Sequence, residues 1–364
     1  MTSADKLGMI VAVAVVVIFV GIGVGMSGVP QETPRPEIEQ QGKMQYTNSG
    51  GITNTNLETK EMISENVQEK PKVKNLGDNL TEFKKSAEIC GDGLDNDFNG
   101  KIDEPSTSPG PGVNWSKCDL SYVNLENSNL FNADLSYADL TYAKMSQVNL
   151  NGTDLSYAKM TNVDLSNADL TYAKIRMTDL KFSNLSGADL SHANLFKADL
   201  TRADLTYAKM DKTDLSLVNL SGADLSHAYL YRADLNNANI KKADLSNADL
   251  TEANLRIANI LDTNFFKADL TKADLSYANL NKADLSLADL TSANLYKSDL
   301  NTAKFFNTDL TNADLSYADL SYADLTSADL TFANLANADL TGANLFDADL
   351  SSANLSCMNH PICD

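Results

Sequence analysis

The sequence predicts an all-β solenoid of square cross-section, preceded by a membrane-spanning helix and a disordered tether. Three observations carry the solenoid. From Leu120 to Leu355 every fifth residue is apolar, giving 48 consecutive units with no insertion. Two residues before each of these sits Ala or another small side chain, such as Val148, Thr153 or Ser183. The third observation is the period itself. Residues five apart on an α-helix are rotated by about 140° and would smear the leucines around its surface. Along a straight strand an odd period throws successive leucines to opposite faces. Only a chain that turns a corner in every unit keeps the leucine and the small residue pointing inward. Four corners close a coil of 20 residues, so 48/4 gives 12 coils, about 58 Å of rod at strand spacing.

The elements before the rod follow in order. Residues 1–6 form a short tail. Residues 7–29 carry no charged side chain and supply the ~20 apolar residues that a helix needs to cross a bilayer. This is the expected membrane anchor, N-terminus inside and the bulk of the chain on the external side. A removed signal peptide is the alternative, although Gly23-Val24-Gly25 makes a weak cleavage site. Residues 30–89 turn to Gln, Glu, Lys, Asn, Thr and Pro, with ten acidic and eight basic side chains. Such a segment buries too little apolar surface to offset its ordering entropy, and it reads as a linker with room for one short helix near Asn79. Residues 90–117 hold an Asp-rich loop and an N-terminal cap, 118–357 the repeat, and 358–364 a C-terminal cap.

Within the repeat the central residue is Leu except at Met145, Met160, Met210, Ile175, Ile240, Ile260, Phe265 and Phe305. The residue before it is Asp in 27 units, Asn in 15, Lys in five and Tyr229 once. Units such as A-D-L-S-Y, A-N-L-F-K and A-D-L-T-S resemble the pentapeptide-repeat family, and the resemblance covers 240 of the 364 residues. It implies a right-handed quadrilateral β-helix, and it implies fold far more than activity. Phe265 and Phe305 are 40 residues apart, two coils of one face, and are expected as core packing in a single column.

One segment carries a cofactor-type signal. From Asp95 the sequence reads D-x-D-x-N-G, with oxygen side chains at Asp95, Asp97 and Asn99 and a turn glycine at Gly100. An EF-hand-type loop begins this way. Position 12 is Ser106 rather than the usual glutamate, and Asp103 and Glu104 come earlier. The segment from Cys90 to Glu104 resembles a C-G-D-G-x-D-N-D-x-D/N-G-x-x-D-E motif of extracytoplasmic metal-binding proteins, and thrombospondin-type calcium repeats. Both resemblances imply a structural Ca²⁺ held by Asp95, Asp97, Asn99, Asp103 and Glu104. Hard oxygen donors suit that ion. The bland reading is an unliganded Asx-rich turn.

Four cysteines bracket the rod. In an oxidising exterior Cys357 pairs with Cys363 and Cys90 with Cys118; a metal site built on Cys357, His360 and Cys363 is the alternative at the C-terminal end. His192 and His227 are seven units apart and fall on different faces.

The chain has 49 acidic and 29 basic side chains, a net charge of −20, which disfavours a phosphate-backbone ligand. Residues 176–304 hold 17 acids and 15 bases, whereas 305–355 hold eight acids and no base. With three histidines and no loop interrupting the repeat, neither the side chains nor a cleft for catalysis is expected. The leading expectation is a non-enzymatic, membrane-anchored structural or interaction rod whose partner is a protein or cell-surface component, with no nucleic acid. An acidic DNA mimic directed at a topoisomerase, as some acidic members of the family are, is the second reading. A surface-glycan enzyme is the third.

Overall fold

The computed structural model describes residues 89–96 and 101–363. The anchor, the linker with its short helix, and Asp97 and Asn99 of the Asp-rich loop lie outside the described residues. Among the described residues no helix is long and apolar enough to cross a membrane.

The rod is built from parallel bridges between residues 20 apart, from Asn114↔Asp134 to Asp339↔Met358. The amide of each leucine donates to the carbonyl 19 residues on, as from Leu140 to Lys159 at 2.7 Å. The amide of each Asp, Asn or Lys before it donates back to the preceding coil, as from Asp139 to Cys118 at 2.9 Å. Four faces result, numbered 1 to 4 from the leucine registers that start at Leu120, Leu125, Leu130 and Leu135. The ladder begins one unit earlier than the leucine repeat, because Trp115 occupies a leucine position and is 2% exposed.

Nearly every unit turns its corner in the same way, the units after Ile175 and Ile260 lacking the closing bond. The small residue's amide closes a turn onto the leucine carbonyl, as from Ala143 to Leu140 at 2.9 Å. The residue between them sits in the left-handed region, at φ 59° for Tyr142. That conformation costs a non-glycine residue roughly 1–2 kcal/mol, and the short-range bonds around it offset the cost. One such bond explains the Asp/Asn preference. Its side-chain Oδ1 accepts the amide two residues on, as Asp119 does from Ser121 at 2.9 Å and Asn194 from Phe196 at 3.0 Å. Lysine has no acceptor to offer there.

The interior is a stack of leucines and alanines, and Phe265 and Phe305 are fully buried two coils apart in the face 2 column. Threonines at small positions are buried with their hydroxyls satisfied: Thr153 donates to the Leu130 carbonyl and Thr263 to that of Ile240, both at 2.8 Å. A hydroxyl thus replaces a methyl without leaving an orphan polar group.

Both ends are cross-linked, Cys90 to Cys118 and Cys357 to Cys363. At the N-terminal end the Trp115 indole donates to Thr107 Oγ1 at 2.9 Å, and the Asp119 amide to the Asp103 carbonyl at 2.8 Å. At the other end Met358 continues the ladder on face 1, and Asn359 Nδ2 donates to Asp339 Oδ1 at 3.0 Å. His360 Nδ1 accepts the Ile362 amide at 3.3 Å. The metal alternative for Cys357, His360 and Cys363 is corrected, because sulfurs joined to each other offer no thiolate.

Candidate functional site

The Asp-rich loop divides into what its backbone needs and what faces outward. Asp103 adopts φ 60°, and its Oδ1 accepts the amides of Gly91 at 2.7 Å and Gly93 at 3.2 Å. Asp92 accepts from Leu94 and from the Asn96 side chain, both at 2.9 Å. One oxygen of Asp103 therefore clamps the Cys90 turn against the rod. Asp95 and Glu104 are half-buried, and Glu104 shares a shallow depression with Lys101, Ile102, Asp119 and Ser121. The three described candidates Asp95, Asp103 and Glu104 supply carboxylate oxygens alone, the donor class of Ca²⁺. Among the described residues no three His, Cys, Asp or Glu side chains are grouped to hold a metal ion.

The rod surface follows a rule visible only between coils. In most places where Asn or Lys follows Asp or Asn one coil on, it donates to the side chain it stacks upon; Lys144, Asn149, Lys209 and Asn279 make no such bond. Asn254 Nδ2 meets Asp234 Oδ1 at 2.9 Å, and Lys304 Nζ meets Asp284 Oδ2 at 3.1 Å. Face 1 carries an amide ladder in its middle coils: Asn259 donates to Asn239 at 3.1 Å, Asn239 to Asn219 at 2.9 Å, and Asn219 to Asp199 at 3.2 Å. Face 3 departs from the rule. Asp249, Asp269, Asp289, Asp309, Asp329 and Asp349 occupy six successive coils with neither Asn nor Lys between them.

The lysine-paired aspartates respond electrostatically. Burial, the largest single influence on Asp139, Asp154, Asp199 and Asp284, pushes their carboxyls up. Hydrogen bonds from the hydroxyl and amide two residues on, joined by Lys159, Lys174, Lys181 and Lys304 respectively, outweigh it and hold all four below the usual 3.8. These are surface interactions, so they tune the rod more than they hold it together.

At the corners the left-handed residues project their side chains outward and stack them coil on coil. Tyr122 lies on Tyr142 with ring centroids 5.1 Å apart, and Tyr137 on Tyr157 at 4.8 Å. His192 and His227 are on different corners, each stacked on a tyrosine, Tyr172 at 5.0 Å and Tyr207 at 4.8 Å. On the corner between faces 2 and 3, Phe266 borders a depression of about 490 Å³ floored by Asn264, Asp284 and Lys304. Sequence reasoning missed the column rule and this depression. Both follow from writing the sequence in rows of 20, which aligns residues that are remote along the chain.

The family of pentapeptide repeats matches in eight copies, over residues 114–152, 149–181, 183–222, 219–256, 268–305, 303–331 and 323–357. No curated protein sequence matches the chain. Among solved structures, HetL, a pentapeptide repeat protein involved in heterocyst differentiation regulation from the cyanobacterium Nostoc, is 34% identical over 68% of this chain and 90% of its own, with a TM-score of 0.29. A pentapeptide repeat protein from the Arabidopsis thaliana thylakoid lumen is 38% identical over 24% of this chain and 63% of its own, at a TM-score of 0.24. QnrB1, a plasmid-mediated fluoroquinolone resistance protein, is 19% identical over 61% of this chain and 91% of its own, at a TM-score of 0.23. The matched repeats cover most of the 364 residues, and their bridge pattern is that of a four-sided solenoid: the chain belongs to the pentapeptide-repeat family.

Proposed function

We propose that this protein is a membrane-anchored, extracytoplasmic rod that acts as a structural or protein-interaction module, not as an enzyme. The observation that carries the reading is the pair of disulfides, one at each end of the rod. Disulfides persist in oxidising compartments, and the apolar run at 7–29 supplies the means of staying at the membrane. Between the disulfides many outward side chains form corner stacks and column bonds, and the rings and charges exposed beside them are the equipment of a docking surface. Ca²⁺ at Asp95, Asp97, Asn99, Asp103 and Glu104 would stiffen the junction between linker and rod.

Protease added to intact cells tests the topology: residues beyond about 30 are degraded if the rod is outside and survive if it is not. Pull-down from the cell envelope with and without a chelator tests the module and its calcium together. A protein partner retained with calcium and released by the chelator supports both.

The acidic DNA mimic remains the second reading, favoured by the face 3 column of six aspartates. The 15 bases between residues 176 and 304 weigh against a phosphate-like field over the middle coils. Inhibition of a topoisomerase by the purified rod, together with a cytosolic location, would establish it in place of the first.

A further inference from the structure

Three phenylalanines stand on the corner between faces 2 and 3: Phe266, Phe306 and Phe346. They are 37%, 49% and 75% exposed. Each follows a central residue of face 2 directly, and consecutive members are 40 residues apart. The bridges place them on every second coil, about 10 Å from one ring to the next at strand spacing. The coils between carry Ser286, 9% exposed, and the partly buried Thr326 at the same position. Flat rings therefore alternate with low polar steps. The main chain holds these positions firmly. The Asn247 amide donates to the Phe266 carbonyl, Leu287 to Phe306 and Ser327 to Phe346, each at 2.9 Å.

The surface beside Phe266 is polar and balanced in charge, whereas the segment 305–355 that carries Phe306 and Phe346 holds eight acids and no base. The depression under Phe266 has two carboxylates, Asp262 and Asp284, and two ammonium groups, Lys282 and Lys304. Asn247, Asn264 and Ser246 add amides and a hydroxyl. Its volume of about 490 Å³ falls within the range of small-molecule sites. Within the depression acids match bases, and the acidic stretch beyond it repels anions, so the many donors and acceptors suit an uncharged ligand dense in hydroxyl groups. Lys267 Nζ lies over one side of the Phe266 ring, 5.3 Å from its centroid; the ring surface left open there, with Phe306 and Phe346, supplies a flat apolar face for the C–H side of a pyranose.

We propose that this corner and face 2 bind an extended β-1,4-linked glycan running along the rod. In such a glycan every second sugar presents the same side, so a platform on every second coil meets equivalent sugars in turn. Phe266, Phe306 and Phe346 stack on alternate residues, and the face 2 side chains hydrogen-bond the hydroxyls. The proposal rests on the rod being an exterior docking module and names one ligand class for it.

The test is calorimetric titration of the full-length chain with cellohexaose and chitohexaose, with the α-linked maltohexaose as control. At least one β-1,4-linked hexaose is expected to bind and maltohexaose not to bind. Phe306→Ala is expected to weaken binding about tenfold, and the triple Phe266→Ala, Phe306→Ala, Phe346→Ala variant to abolish it. All three rings are exposed, and an unchanged melting temperature confirms that the variants fold. No binding of either β-1,4-linked hexaose, equal binding of maltohexaose, or unaltered binding by the folded triple variant overturns the proposal. So does loss of a protein partner in the triple variant when no hexaose binds, and that result would leave the interaction-module reading standing.

Discussion

Faces 1 and 3 share a backbone, a core and a bridge spacing, and both end in stacked aspartates, yet their middle coils solve the same problem differently. On face 1, Asn219, Asn239 and Asn259 hand a hydrogen bond from coil to coil. On face 3, six aspartates from Asp249 to Asp349 stack like charge upon like. Both residue types provide the Oδ1 that caps the corner, as Asp289 does for Thr291 at 2.8 Å and Asn279 for Asn281 at 3.1 Å. The difference teaches that the corner asks only for an acceptor. Whether the same side chain also donates decides how the columns cohere and where the rod keeps its charge.

The largest expected effect should fail to distinguish the faces. Leu280→Ala on face 1 and Leu290→Ala on face 3 remove equally buried side chains, and each should cost about 2–5 kcal/mol in denaturant unfolding. Clearly unequal costs would show that the contrast reaches into the core. Next comes the combined Asn239→Asp, Asn259→Asp variant, which converts face 1 to the arrangement of face 3. It loses two amide donors and gains repulsion, for an expected loss of about 1–2 kcal/mol. An unchanged unfolding midpoint would mean that the amide ladder contributes nothing net.

The reverse exchange, Asp309→Asn, gives face 3 a donor toward Asp289 and removes one charge from the column. A gain of about 0.5–1 kcal/mol is expected, shrinking as salt is added. The smallest effect is on acidification. The folded values of Asp139, Asp154, Asp199 and Asp284 lie below 3.8. Their stabilisation is complete above the unfolded value near 3.8 and is lost as pH falls through the lower folded values. Amide exchange should quicken first in coils around the Lys159–Asp139 and Lys304–Asp284 pairs, on faces 1 and 2. First loosening on face 3 away from Asp349, whose carboxyl the Ser351 hydroxyl and amide also hold down, would contradict that assignment.

The core was legible in the sequence because one residue in five fixes which side faces in, and 48 repetitions leave no other register. Phe265 and Phe305 fell where counting put them. Trp115 escaped because Val113-Asn114-Trp115 departs from the leucine pattern, although an indole fills the same place at the end of the stack. The column rule escaped for a different reason. Lys304 touches Asp284, not its neighbours in sequence, and a scan along the chain sees only a charge list. In the candidate metal loop the motif was visible, but the clamp that Asp103 makes on Gly91 and Gly93 was not, since it joins residues 12 and 10 apart.

An unbroken register also gives the rod two kinds of arithmetic. Removing 20 residues from the repeat shortens it by one coil and leaves every later side chain on its own face. Removing five preserves the leucine core equally well but turns everything downstream through one corner. The aspartates of face 3 then continue face 2, and the phenylalanines change corners. For this protein a folding-neutral deletion can thus be a complete rewiring of the surface, so length variation in whole coils is the kind that conserves what the rod displays.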